Sequence, residues 1–98
     1  MLVKIHRSYR DVVAICDSNL IGKVFEEDKF QLDVKESFFK GDEKSKKEII
    51  EIMKNMSIED ATFNIIGKES TQTAIEAEII SKEGVKEIKG IPFALVLL

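Results

Sequence analysis

The sequence predicts a single α+β domain in which two helices cover one face of a mostly antiparallel sheet, with the elements in the order βββαβαβ. Three observations carry that expectation. Residues 29–35 alternate, with Phe30, Leu32 and Val34 on one side and Gln31, Asp33 and Lys35 on the other, as a half-buried strand requires. Ile49, Ile52, Met53 and Met56 recur at spacings of three and four, the mark of an amphipathic helix. Between Ala61 and Ile80 the pattern changes from strand to helix across one glycine: Phe63, Ile65 and Ile66 are aromatic or β-branched, while Ala74, Ile75, Ala77, Glu78 and Ile79 mix helix formers with helical spacing. A chain of 98 residues has room for one modest core and no second domain.

In chain order, Leu2–His6 and Asp11–Cys16 read as strands of a hairpin closed by Arg7-Ser8-Tyr9-Arg10. Val3 and Ile5 point one way, Lys4 and His6 the other. Asp17-Ser18-Asn19 is a turn cluster, and Leu20–Phe25, apolar on both sides of Gly22, reads as a covering loop. After the strand at 29–35, Phe38 and Phe39 fall in a connection ending at Gly41, where packing on the core is their expected use. The first helix is expected over Asp42–Met56, with Ser45-Lys46-Lys47-Glu48 shaped as a capping box and Asp42 as a competing earlier cap.

Ser57–Asp60 then lead into the strand before Gly67. The second helix, with Ser70 or Thr71 as its cap, is expected to end near Ser81–Gly84, with Gly84 as its closing residue. Val85–Lys89 and Ile91–Leu98 read as extended. Phe93–Leu98 is apolar without alternation, so both faces of this last strand should be covered and Phe93, Val96 and Leu97 buried; Pro92 confines itself to a strand start or an edge.

Composition narrows the function classes. A net charge of −3 with mixed signs argues against a bulk polyanion binder, so no DNA partner is expected, while a local basic face leaves RNA open. Lys40, Lys44, Lys46 and Lys47 could touch phosphates; a solvated helix end balanced by Asp42, Glu43, Glu48 and Glu51 is the plainer reading. Cys16 is the one cysteine, which rules out an internal disulfide, and one Cys with one His completes no zinc set. No metal or other cofactor is expected. A Cys16–His6 nucleophile pair lacks a third, orienting residue, and no catalytic residue stands out. There is no apolar run of the ~20 residues a membrane span needs and no secretory leader pattern, so a cytoplasmic setting without a membrane partner is expected.

Leu20-x-Gly22-Lys23-x-Phe25, Phe38-Phe39-x-Gly41, Asn64-Ile65-Ile66-Gly67, Ala74-Ile75-Glu76 and Gly90-Ile91-Pro92-x-Ala94, taken in order, resemble the small archaeal family called domain of unknown function 424. The resemblance spans nearly the whole chain. It implies an archaeal, single-domain α+β protein with no assigned activity, in a family often encoded near translation and ribosome-assembly genes. Where the family tends to read Gly-Val-Pro-His-Ala-Gln, this chain has Gly90-Ile91-Pro92-Phe93-Ala94-Leu95, so the polar pair is absent.

The binding site expected from the sequence is Asn64, Gly67, Lys68 and Ser70, with Lys23 as a neighbour across the sheet end. A strand ending at Gly67 delivers Lys68 and the first N–H groups of the next helix to one spot, where a phosphate of RNA or an acidic peptide of a ribosomal or initiation-factor protein would sit. The competing reading makes Gly67 only a turn and the helix start only capped. Three function classes follow: a binding module of the translation machinery, a homo-oligomeric protein (a homodimer through the apolar last strand), and a small enzyme.

Overall fold

The computed structural model describes residues 1–97. Leu2–His6 (β1) and Val12–Cys16 (β2) form the expected antiparallel hairpin, Leu2 opposite Cys16 and His6 opposite Val12. A 3₁₀ turn at Ser18–Leu20 leads to a second hairpin, Val24–Glu27 (β3) and Phe30–Asp33 (β4), followed by a single helical turn, Glu36–Phe39 (α1). Asp42–Glu43 (β5) pairs with β1, and Lys46–Ile58 (α2) follows. Thr62–Ile66 (β6), Lys68–Glu76 (α3), Lys86–Ile88 (β7) and Ile91–Val96 (β8) complete the chain.

Six strands make one sheet in the order β5-β1-β2-β6-β8-β7, while β3 and β4 stand apart as a two-stranded ribbon. β6 runs parallel to β2, and the other pairs are antiparallel. A parallel neighbour needs a long crossover, and everything from the 3₁₀ turn to α2 supplies it. Strand parity then divides the side chains between two faces. On the first, Val3, Val13, Ile15, Phe63 and Ile65 pack under Ile49, Met53 and Met56 of α2, Ala74 of α3 and Ala77 at the C-cap of α3. On the second, Leu2, Ala14, Cys16, Ile66 and Ile88 lie under Leu20, Leu32, Val34 and Phe39, contributed by the 3₁₀ turn, the ribbon and α1. Both long helices therefore share one face, as the apolar spacing requires.

Several local expectations need correction. The alternating segment 29–35 holds a strand, Phe30–Asp33, that does not join the main sheet; it pairs with Val24–Glu27, whose first two residues belong to the stretch that reads as a covering loop. Main-chain bonds Gly22 N–H to Val34 O (2.8 Å) and Val34 N–H to Lys23 O (2.9 Å) continue that ladder to its base. Leu32 and Val34, at the base, are buried, but Phe30 is 68% exposed because it flanks the turn at the ribbon's tip. Leu97, expected inside, is 72% exposed, and Phe93 and Val96 are only half-buried. Leu98 lies outside the described residues.

Helix α2 begins at Lys46, not Asp42, whose backbone is taken by β5. Ser45 is the N-cap: its hydroxyl accepts from Glu48 N–H at 3.3 Å while the Glu48 carboxylate accepts from Ser45 N–H at 3.0 Å, the reciprocal capping box read from the sequence. That backbone hydrogen bond, more than any other contact, holds the Glu48 carboxyl below its ordinary 4.5. A depressed carboxylate contributes stability that is fully present above the unfolded value and is lost as pH falls through the folded one. Glu48→Gln, which keeps the bond without the charge, is expected to flatten the fall of the thermal midpoint on acidification below 4.5. Parallel pH series of melting curves for the two proteins check this.

Helix α3 ends earlier than expected, at Glu76. Glu78 takes a left-handed φ of 61°, Glu78 N–H donates to Ile75 O and Ile79 N–H to Ala74 O, which is a Schellman closure built without glycine. Gly84 instead sits in a separate 3₁₀ turn, Lys82–Gly84.

Candidate functional site

The second face of the sheet is roofed over only part of its area. β1, β2, β6 and β8 each send alternate residues to it, and Leu2, Cys16 and Ile66 at one end are covered while Val12, Thr62, Asn64 and Leu95 toward the other are not fully buried. Asn64 lies between Ala14 of β2 and Leu95 of β8 in register. Where the roof ends, a groove of about 440 Å³ opens, with Asn64 and Ile66 on its floor and Asp33, Lys35, Ser37 and Phe38 along its wall. That volume falls in the range of small-ligand clefts. No buried side-chain nitrogen or oxygen among the described residues lacks a partner, so the polar groups left for a ligand are those open to solvent, such as the Asn64 amide and the Lys35 ammonium.

The wall is fixed from below by β1. Lys4 Nζ donates to Ser37 O at 2.9 Å. His6 Nε2 lies 2.9 Å from Phe38 O; a carbonyl only accepts, so Nε2 carries the proton. The His6 and Phe38 rings stack with centroids 4.5 Å apart, and Phe38 meets Phe39 edge-on at 5.1 Å. The two adjacent phenylalanines thus divide their work: Phe39 is buried in the core, and Phe38, half-buried, shapes the groove.

The helix start behaves differently from the expected anion seat. Gly67 is the N-cap of α3, with φ 115° and ψ 158°, a conformation that side-chain-bearing residues avoid. Its N–H donates to Pro92 O at 2.8 Å. The anion at the helix start is the protein's own: the Asp17 carboxylate accepts from Glu69 N–H at 3.1 Å, Ser70 N–H at 2.8 Å and the Ser70 hydroxyl at 2.7 Å. Ser70 is fully buried in this arrangement. A carboxylate at a helix N-terminus satisfies orphan N–H groups and the dipole together, so the Glu69 and Ser70 donors are already taken by Asp17, while the Lys68 side chain stays exposed beside them. Of the five expected residues, Asn64 opens into the groove, Gly67, Lys68 and Ser70 share the α3 start, and Lys23 belongs to the ribbon base through its bonds to Leu20 and Val34.

Other candidates resolve similarly. Cys16 and His6 stand at opposite ends of the β1–β2 pair, four registers or about 13 Å apart, so they form no pair. Burial, and then the charge of Asp17, pushes the Cys16 thiol up to about 11, which leaves it unreactive at neutral pH. In the lysine cluster, Lys46 pairs with Glu76 of α3 at 2.7 Å and Lys44 lies 3.9 Å from Glu48. The groove itself escaped sequence reading because Asn64, Lys35 and Ser37 meet only through the placement of α1 over the sheet.

Fold and site together define a small α+β domain whose sheet carries helices on one face and a partial roof with a polar-walled groove on the other. Residues 6–98 match the family model described as protein of unknown function DUF424, and the chain belongs to that family. A similar solved structure is that of an uncharacterized conserved protein from Methanopyrus kandleri, with a TM-score of 0.85 at 20% identity, covering 97% of this chain and 88% of the other. That likeness establishes the fold. A search of curated protein sequences returned no match. Phe93 and Leu95 lie opposite Ile66 and Asn64, on the same face as the groove.

Proposed function

We propose that the protein is a non-enzymatic binding module of the translation machinery whose ligand seats in the groove and on the open part of the sheet face around Asn64. The observation that carries this reading is the unroofed sheet: an amide, an ammonium and a hydroxyl stand beside an apolar floor at the place where the covering layer stops. A protein segment is favoured over RNA, because Leu95 adjoins the groove with 57% of its surface exposed and the chain is acidic overall. Support for the non-enzymatic part comes from His6, whose ring and Nε2 are both committed to holding Phe38. The translation setting rests on the family resemblance.

The test is capture from a lysate of the source organism on immobilised protein, with and without ribonuclease, followed by mass spectrometry. Lys35→Glu combined with Asn64→Ala is expected to reduce recovery of the specific partner about fivefold, equivalent to ~1 kcal/mol, since each change removes one rim contact. Lys35 is exposed and Asn64 half-buried, so the thermal midpoint should hardly move. Recovery of ribosomal or initiation-factor proteins that survives ribonuclease supports the reading. Loss of all partners on ribonuclease treatment assigns the ligand as RNA, and unaltered recovery by the folded double variant removes the groove from the site.

A further inference from the structure

β8 is paired with β6 from Phe93 to Val96, but on its other side β7 reaches only as far as Phe93, which lies opposite Lys86. From Ala94 onward that side has no strand partner among the described residues. The direction of the main-chain groups follows from the ladder. Gly67 N–H donates to Pro92 O, so residue 92 faces β6, and alternation in an antiparallel pair then turns Ala94 and Val96 toward β6 and Leu95 toward the open side. Leu97 has the same parity as Leu95. Their side chains are 57% and 72% exposed.

Exposed edges of this kind are ordinarily blunted by lysine, proline, a bulge or brevity, since unpaired N–H and C=O groups beside apolar side chains recruit another strand. The run Ala94-Leu95-Val96-Leu97 contains no charge and no proline; Pro92 lies on the part that β7 covers. We propose that β8 pairs antiparallel with β8 of a second copy about a twofold axis through Val96. Leu95 of each chain then lies opposite Leu97 of the other, and two six-stranded sheets become one continuous sheet.

A second copy is the occupant because the segment is complementary to itself. In this register each Leu95 and Leu97 presents outward N–H and C=O groups to its counterpart, and the four leucines form one ridge on the open face. An isologous contact needs just such a patch, which meets its own image without like charges across the strands. Charge flanks the edge only at its start, where Lys86 of β7 lies beside Ala94 and Leu95, so the run itself is matched by apolar fit. Val96, at the axis, stays half-buried against the first core on the helix side. Pairing adds to the edge and leaves Asn64, Lys35 and Ser37 of the groove open; Leu95 adjoins both surfaces, so the test reads association alone and not ligand capture.

Size-exclusion chromatography with light scattering tests it on the full chain over a concentration series. The wild type is expected at twice 11.1 kDa. Leu95→Pro removes an N–H that points outward and not to β6, and Leu95→Lys sets two ammonium groups near the axis. Both are expected at 11.1 kDa with unchanged far-ultraviolet circular dichroism. A wild type of 11.1 kDa throughout, or a dimer that persists in a folded Leu95→Lys protein, overturns the proposal. If Leu95→Pro fails to fold, the lysine variant alone decides.

Discussion

Asp17→Ala is expected to destabilise the domain by about 2–4 kcal/mol, combining the loss of a helix cap with a buried hydroxyl left without its partner. Three donors lose their acceptor at once: Glu69 N–H, Ser70 N–H and the Ser70 hydroxyl. Ser70 is fully buried, so water replaces the missing carboxylate poorly. For a domain of this size each kcal/mol lowers the thermal midpoint by roughly 4–8 °C, which places the expected fall within easy reach of calorimetry. Adding Ser70→Ala to Asp17→Ala should restore part of the loss by removing the stranded hydroxyl. A variant melting within a few degrees of wild type would show that the cap carries little of the stability.

Gly67→Ala is expected to be comparably severe, for two reasons that act together. A side chain at φ 115° costs about 1–3 kcal/mol of backbone strain. The added Cβ would also fall inside contact distance of the Asp17 carboxylate carbon and both its oxygens, forcing the cap away from the helix start. The second cost vanishes when Asp17 is already alanine. The double variant should therefore lose clearly less than the sum of the two single losses, the sign of residues sharing one arrangement. Simple additivity in chemical denaturation would mean that Asp17 and Gly67 act separately.

This coupling also marks the limit of what the sequence could disclose. The strand-to-helix change at Gly67 was legible because period and residue type both switch there, and the capping box at Ser45 and Glu48 was legible because its partners are three residues apart. The β1–β2 hairpin followed from two strand-like runs and a short polar loop. The cap of α3 was not legible, since Asp17 reaches Ser70 across more than fifty residues of chain. Distance in sequence hides such a contact whatever the local pattern.

The ribbon shows a different failure. Leu32 and Val34 alternate because they roof the sheet, and alternation is the same whether a strand joins the main sheet or lies across it. The apolar run at the end of the chain reads as covered on both faces, yet Leu95 and Leu97 fall on the side where the roof has stopped. The groove inherits this difficulty: Asn64 could be singled out, but Lys35, Ser37 and Phe38 become its neighbours only through α1.

The ligand seat is tested most directly by amide chemical-shift mapping of isotope-labelled protein titrated with the partner recovered from lysate. The largest changes are expected at Thr62, Asn64 and Leu95 and along Lys35–Phe38, with Lys68–Ser70 and the outer face of α2 nearly still. Changes concentrated at Gly67–Ser70 or on α2, with Asn64 and Lys35 unmoved, would place the ligand elsewhere and contradict the assignment of the open sheet face.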